Sequence, residues 1–517
     1  MRLSRLTLIA VCAALAAAAT VAWRLWPPGG ARSDPIVVGT TGAVTSLDPA
    51  GAYDTGSWAL FENVYQKLLT LAPGSTSPAP DAAESCRFTG AGMRTYTCRL
   101  RSDLVFPDGR PVTGADVKFS IDRIRAIASP VGPAAVLDTL REVQARDGEV
   151  VFHLRTPDAT FPLRLATGAG SIVDRAHYPA TSLRPGNTVD GTGPYRIRSY
   201  EPGKRIVLTP NDRYRGAVPR RGSPVEIRYY DDPGELARAW DRRRIDVVNR
   251  GLPPKMLTSF LDGTTDARVD EASSGESRML VFNLRDRSPA HDRAVRRAVA
   301  ALVDRPRIAA GPYLSTVDPL LSVVPRGYVG HVNAFQDEYP RPAPERAARL
   351  LREAGITPPV RLAYGHRAGP TFAKEAAELR RQLEASGLFR VTVASADWPD
   401  FQRGLLAGRY DIYGFSWTPD FPDPDNFVQP LVGTRNALAS RYSNPRIDTL
   451  VSTTRGHEER VRAVGDFHTL QREVAREVPV LPLWQRKEYV LSTPDVTGAQ
   501  YLVDGGGAWR LWELRRL

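Results

Sequence analysis

Residues 414–427 read GFSWTPDFPDPDNF and set Asp420, Asp423 and Asp425 beside Trp417 within fourteen positions. Clustered carboxylates suit three kinds of chemistry. A pair can hydrolyse a glycosidic bond by acid and base catalysis, a set can hold a hard cation such as calcium, and one beside an aromatic face can bind an organic cation. Hydrolysis calls for carboxyl groups brought from separate segments, and here they share one short stretch. The spacing and central glycine of an EF-hand loop are missing. What is left is the holding of a cationic group, or the commoner case of a solvated acidic turn. Pro419, Pro422 and Pro424 lack a backbone donor and fix φ, so the stretch is expected to be a stiff loop rather than a helix or a central strand.

The rest of the chain offers no stronger constellation. G-x-S-x-G, H-E-x-x-H, P-loop and G-x-G-x-x-G patterns are absent. The seven histidines lie far apart, and even His457 and His468, eleven positions from each other, make a weak zinc pair. They are expected to be isolated surface residues. No catalytic residue, metal or cofactor is expected. The formal charge of +12 invites a nucleic-acid partner, but the arginines are scattered among acids without a long basic block, and none is expected.

The elements that would carry such a loop alternate along the chain. A strand is expected at 36–39. Thr113 and Asp116 form a capping-box signature that opens a helix through Phe119, Ile121 and Ile124. Pro344 opens another, with Ala347, Leu350, Leu351 and Ala354 on one stripe and Gly355 closing it. Phe372, Ala376, Leu379 and Leu383 mark a third helix, followed by a strand at 391–393. A long helical stretch at 458–477 precedes two strands, at 480–483 and 489–491. Alternation of this kind indicates an α/β protein, and 517 residues call for two or more lobes.

The N-terminal region carries Arg2 and Arg5 before an almost unbroken apolar run at 6–23, which reads as an export signal. Small residues around 16–19 suit a signal peptidase. An 18-residue helix would also span about 27 Å, close to a hydrocarbon core, so a retained anchor ending at Arg24 stays open. Cys12 lacks the context of a lipidation site. Cys86 and Cys98 flank a turn at 90–92 with period-two alternation on both sides. This predicts a β-hairpin and a disulfide, in keeping with an oxidising compartment.

Seven stretches in order resemble the extracytoplasmic solute-binding proteins of ABC importers in the peptide/nickel (oligopeptide- and dipeptide-binding) family, bacterial family 5. They are TSLDP at 45–49, ENVYQKL at 62–68, YTCRLRSDLVFPDGRPVTGADVKFSIDRI at 96–124, GTGPY at 191–195, NDRYRG at 211–216 with FNLRDRSPAHDRAVRRAVAALVDR at 282–305, AARLLREAG at 347–355, and GRYDIYGFSWTPDFPDPDNF at 408–427. Gln66 stands where the family usually has glutamate, and the lipobox is missing.

The resemblance implies a two-lobed type II periplasmic-binding-protein fold with an extra third domain and an interlobe cleft. Residues 1–33 would be signal or anchor plus linker; 34–70, 190–282 and 483–517 would form domain I, 71–189 domain II and 283–482 domain III. It implies capture of short peptides and delivery to membrane permease subunits, with the N-terminal segment touching the cytoplasmic membrane. By the family's W-x-x-D pattern, Asp420 would pair with the ligand's α-amino group and Trp417 would wall the site. Thr45 would border the cleft, Asp423 and Pro424 would be structural, and Asp425 would be solvated. No arginine is marked out for a ligand carboxylate. Alternatives are another ligand (nickel chelate, haem, oligosaccharide), an anchored sensor, or an extracellular glycosidase using Asp420.

Overall fold

The computed structural model describes residues 34–90, 92–146, 148–219, 222–263, 266–502 and 508–517; the expected export segment and its linker lie outside them. Among the described residues no helix is long and apolar enough to cross a membrane.

The architecture is α/β, built on one eleven-stranded mixed sheet among the described residues. From edge to edge it runs Phe389–Ala396, Val360–Arg367, Ile412–Trp417, Arg268–Phe282, Val480–Ser492, Val247–Asn249, Ile36–Thr40, Val225–Tyr229, Arg205–Pro210 and Tyr195–Glu201, with Val317–Pro319 pairing to Val480–Ser492. Two strands are far longer than the rest. Arg268–Phe282 and Val480–Ser492 pair antiparallel; the ladder has register shifts between Ser273 and Ser277 and between Arg278 and Met279, and the first of these is where the strand crosses from one half of the sheet to the other. On one side of the shift Val480–Ser492 also pairs with Val247–Asn249. On the other, Arg268–Phe282 pairs with Ile412–Trp417. The long pair is therefore what joins the two halves of the sheet. Two separate strands were expected at its C-terminal member, because Gln485, Arg486, Lys487 and Glu488 interrupt the apolar run. The structure keeps one strand there, and the polar stretch lies where it crosses between the halves.

Buried apolar residues form large clusters on either side of this crossing. One takes Met279 to Trp484. A second gathers the first strand, the helix Thr55–Val64 and residues near the C-terminal end such as Trp512 and Leu514. A third lies under the four-stranded sheet of Ala83–Phe88, Thr95–Leu100, Glu149–Leu154 and Leu140–Arg146. Within that sheet Cys86 opposes Cys98 across the hairpin, and a disulfide joins them. The capping box opens the helix Gly114–Ile127. The helix Pro344–Glu353 ends before Gly355, whose φ of +72° suits glycine. The helix expected from 458 begins later, at Val464–Glu477, after a 3₁₀ turn Arg460–Ala463.

Asp246 ties together distant parts of the sheet. Its Oδ2 accepts from Val37 N–H at 2.8 Å and from Arg516 Nη2 at 2.9 Å.

Candidate functional site

The stretch 414–427 is less of a loop than its prolines suggest. Its start belongs to the strand Ile412–Trp417, and its end is the first turn of the helix Asp425–Val432, for which Pro424 is the N-cap. Proline is compatible with a helix start, where no backbone donor is needed. The irregular part shrinks to 418–424.

Two of the three aspartates fix this segment from behind. Asp423 receives a two-pronged contact from Arg460, Nε at 2.7 Å and Nη2 at 2.8 Å. Asp425 is 1 % exposed and receives Arg455 Nε and Nη2, both at 2.9 Å. The expectation that Asp425 is solvated is corrected: its partner lies thirty positions along the chain, out of reach of any local pattern. Asn426 braces the front. Its side-chain oxygen accepts from Asp420 N–H at 2.9 Å, and its backbone oxygen accepts from Trp417 Nε1 at 2.7 Å.

Asp420 is what this bracing presents. Its Oδ2 accepts from Tyr53 Oη at 3.0 Å and from Asn426 Nδ2 at 3.3 Å. It forms no ion pair among the described residues, and burial pushes its carboxyl above the ordinary value, against the pull of those two hydrogen bonds. Tyr53 belongs to the segment before the helix Thr55–Val64, is 40 % exposed and packs its ring 5.3 Å from that of Trp58.

Three cavities lie along residues 414–422. Asp420 and Pro422 border the first, of about 300 Å³, together with Trp58 and Glu62, the 166–168 turn, Ser273 and Ser274 of the crossing strand, and Arg326. Gly168 is obligatory there, because a Cβ would stand 2.6 Å from the Trp58 ring. Thr418 borders the second, of about 440 Å³, with Thr41, Arg250, Arg367 and Arg486. Gly414, Phe415 and Ser416 border the third, of about 220 Å³, with Phe372, Trp398, Arg278 and again Arg367. One wall thus runs through all three, and Asp420 stands at one end of it.

The basic residues of this trough differ in their charge balance. Arg278 is buried against Glu375, whose other oxygen accepts from Tyr313 Oη and Trp484 Nε1. Arg486 pairs with Glu276. Arg367, exposed at the end of its strand with its guanidinium 5.9 Å from the Trp398 ring centroid, has no carboxylate partner among the described residues. Sequence reasoning missed both Tyr53 and Arg367, since each is an ordinary residue whose meaning comes from what the fold sets opposite it.

Two expected ligand contacts are placed otherwise. Trp417 is half-buried against the core, its indole N–H is engaged, and it borders none of the three cavities. Thr45 is exposed, borders none of them, and donates its hydroxyl to Asp54, the N-cap of the helix Thr55–Val64.

Comparison with known proteins finds a match between residues 77–438 and the family described as bacterial extracellular solute-binding proteins, family 5 Middle. The chain is 25% identical over 486 residues to the probable D,D-dipeptide-binding periplasmic protein DdpA of Escherichia coli, covering 90% of this chain and 91% of that one. It is 26% identical over 487 residues to di/tripeptide-binding protein 2 of Pseudomonas aeruginosa, covering 88% and 90%. Among solved structures, the periplasmic binding protein DppA of Helicobacter pylori in complex with peptide STSA shares the fold, with a TM-score of 0.77 over 93% of this chain and 98% of that one at 19% identity.

Proposed function

The chain belongs to the bacterial extracellular solute-binding proteins of family 5, and on that premise we propose that it is the receptor of an ABC importer that encloses short peptides between its lobes and hands them to the membrane permease. The family's role is solute capture outside the cytoplasm, not catalysis. Supporting the ligand class are relatives whose names specify dipeptides and tripeptides.

The observation that carries the reading is the charge pattern of the trough. Asp420 is an anion without an ion-pair partner and Arg367 a cation without one, both along the same wall. A free peptide brings the complementary pair, an amine and a carboxylate. Arg367 borders both the cavity that Ser416 borders and the one that Thr418 borders, two positions from Asp420. In this reading Asp420 receives the amine, displacing Tyr53, and Arg367 receives the carboxylate. Trp417 and Thr45 act indirectly, Trp417 through Asn426 and Thr45 through the helix cap at Asp54.

Domain I would comprise 34–70, 190–282 and 483–517, domain II 71–189 and domain III 283–482, a division in keeping with the buried clusters. The long strand pair is then the hinge, and a ligand touching both sides favours closure by the difference in contacts it makes. Residues 1–33 would direct export, either tethering the receptor to the outer face of the membrane or being cleaved to release it.

Native mass spectrometry of the chain purified from rich medium tests the ligand class. Added mass that is lost on denaturation and resolves into short peptides supports the proposal. A bound chelate, haem or sugar in its place rejects it.

A further inference from the structure

Outside the cleft, one cluster gathers side chains that peptide capture leaves idle. Asp108 sits in a tight turn in which Gly109 N–H donates to Phe106 O and Phe106 N–H to Arg110 O. Asp174 and His177 share another turn, with His177 N–H donating to Asp174 O at 3.0 Å. One potential ligand atom from each of Asp108, Asp174 and His177 lies within 4.8 Å of the other two. Asp108 and His177 are exposed, whereas Asp174 is fully buried.

The two oxygens of Asp174 are in different situations. Oδ1 accepts from Arg110 and from Ala176 N–H at 2.8 Å. Oδ2 is shut off from solvent and has no hydrogen-bond donor. Burying a carboxylate oxygen without a donor is costly, and such atoms are rare in native proteins. This orphaned atom faces His177 Nδ1 at 3.4 Å, which is long for a hydrogen bond. Two ligands on one tetrahedral zinc ion, each bonded at 2.0–2.2 Å, stand about 3.3–3.6 Å apart. Asp190 Oδ2, held by Arg184 at 2.7 Å, lies 3.3 Å from the same nitrogen. Hydrogen bonds onto the ligating groups, like that of Arg110 on Asp174, are the usual outer support of a metal site.

We infer that Asp108, Asp174 and His177 bind one divalent transition-metal ion of the zinc class, with the fourth position open to water. Imidazole with carboxylates suits this ion better than calcium or magnesium, which take oxygen ligands. The ion ties the 106–110 turn to the 174–177 segment, from which the chain travels back to the main sheet at Tyr195. It acts as a clasp between those segments, and peptide binding does not depend on it.

The test is a calorimetric titration of the EDTA-treated full chain with zinc chloride, in the wild type and in His177→Ala and Asp108→Asn. Both substitutions are at exposed side chains, and circular dichroism checks that each variant is folded. The expected result is one ion per chain, at least tenfold weaker in each variant, and a zinc-dependent rise in melting temperature that each variant loses. A wild type that takes up no zinc, or an affinity that survives either substitution, overturns the site. The latter result would place the ion on other residues.

Discussion

Replacing Asp420 by asparagine keeps the shape of the loop and removes one charge. Asn426 and Tyr53 still find an oxygen to donate to, so the effect isolates the carboxylate. A ligand amine at about 3 Å gains roughly 5 kcal/mol from the charge at an effective dielectric near 20. Against this stand the Tyr53 hydrogen bond it displaces, about 1 kcal/mol, and the cost of desolvating the amine. A net loss of about 2–4 kcal/mol remains for Asp420→Asn, or about 30- to 700-fold in Kd. The assay is a calorimetric cycle of wild type and variant against a free tripeptide and its N-acetyl form. The wild type should discriminate by that factor and the variant hardly at all. Discrimination that persists in the variant refutes the pairing. The pH dependence has a definite sign. Burial raises the carboxyl in the folded protein above 3.8, so its contribution to stability is greatest at low pH and falls as pH rises through the raised value. At neutral pH the variant without peptide should therefore melt higher than the wild type. Peptide affinity in the wild type should weaken as pH drops towards the raised value, and in the variant it should not.

Arg367→Gln should weaken binding of a free peptide by about 1.5–3 kcal/mol and leave its C-terminal amide unaffected, as measured by titration; equal losses for both would remove Arg367 from the site. Arg455→Ala strips buried Asp425 of its two-pronged partner, leaving only Arg164 at 4.0 Å, and should cost about 3 kcal/mol of stability, read from chemical denaturation. Replacing both Cys86 and Cys98 by serine opens a loop of twelve positions and should cost about 3 kcal/mol, with peptide affinity unchanged because the hairpin does not border the trough.

The elements legible in the sequence were those whose signals are local. The capping box at Thr113 and Asp116, the stripe of Ala347 and Leu351, and the hairpin around Cys86 and Cys98 each report on a few neighbouring positions. The strand Val480–Ser492 reads as two because residues that cross between lobes are polar where a core strand would be apolar. The aspartates at 420, 423 and 425 look equivalent as text. Their roles diverge because Arg455 and Arg460, on later segments, fold back onto two of them. Asp420 is readable only through a family pattern. Tyr53 and Arg367 have no local signature at all, since what marks them is an opposing group, or the lack of one, hundreds of positions away or on another strand.

The carboxylate of Asp246 has a bearing on the order in which the chain folds. It bonds both Val37 and Arg516, so the lobe that begins with the first strand is not complete until residue 516 has arrived. Contacts between residues so distant in sequence form slowly, because long loops must close before they are rewarded. A chain built this way completes that lobe late, once the strand at Val37 and the residues around Arg516 can meet. Asp246 thereby couples the two ends of the lobe, and loosening either end should loosen the other.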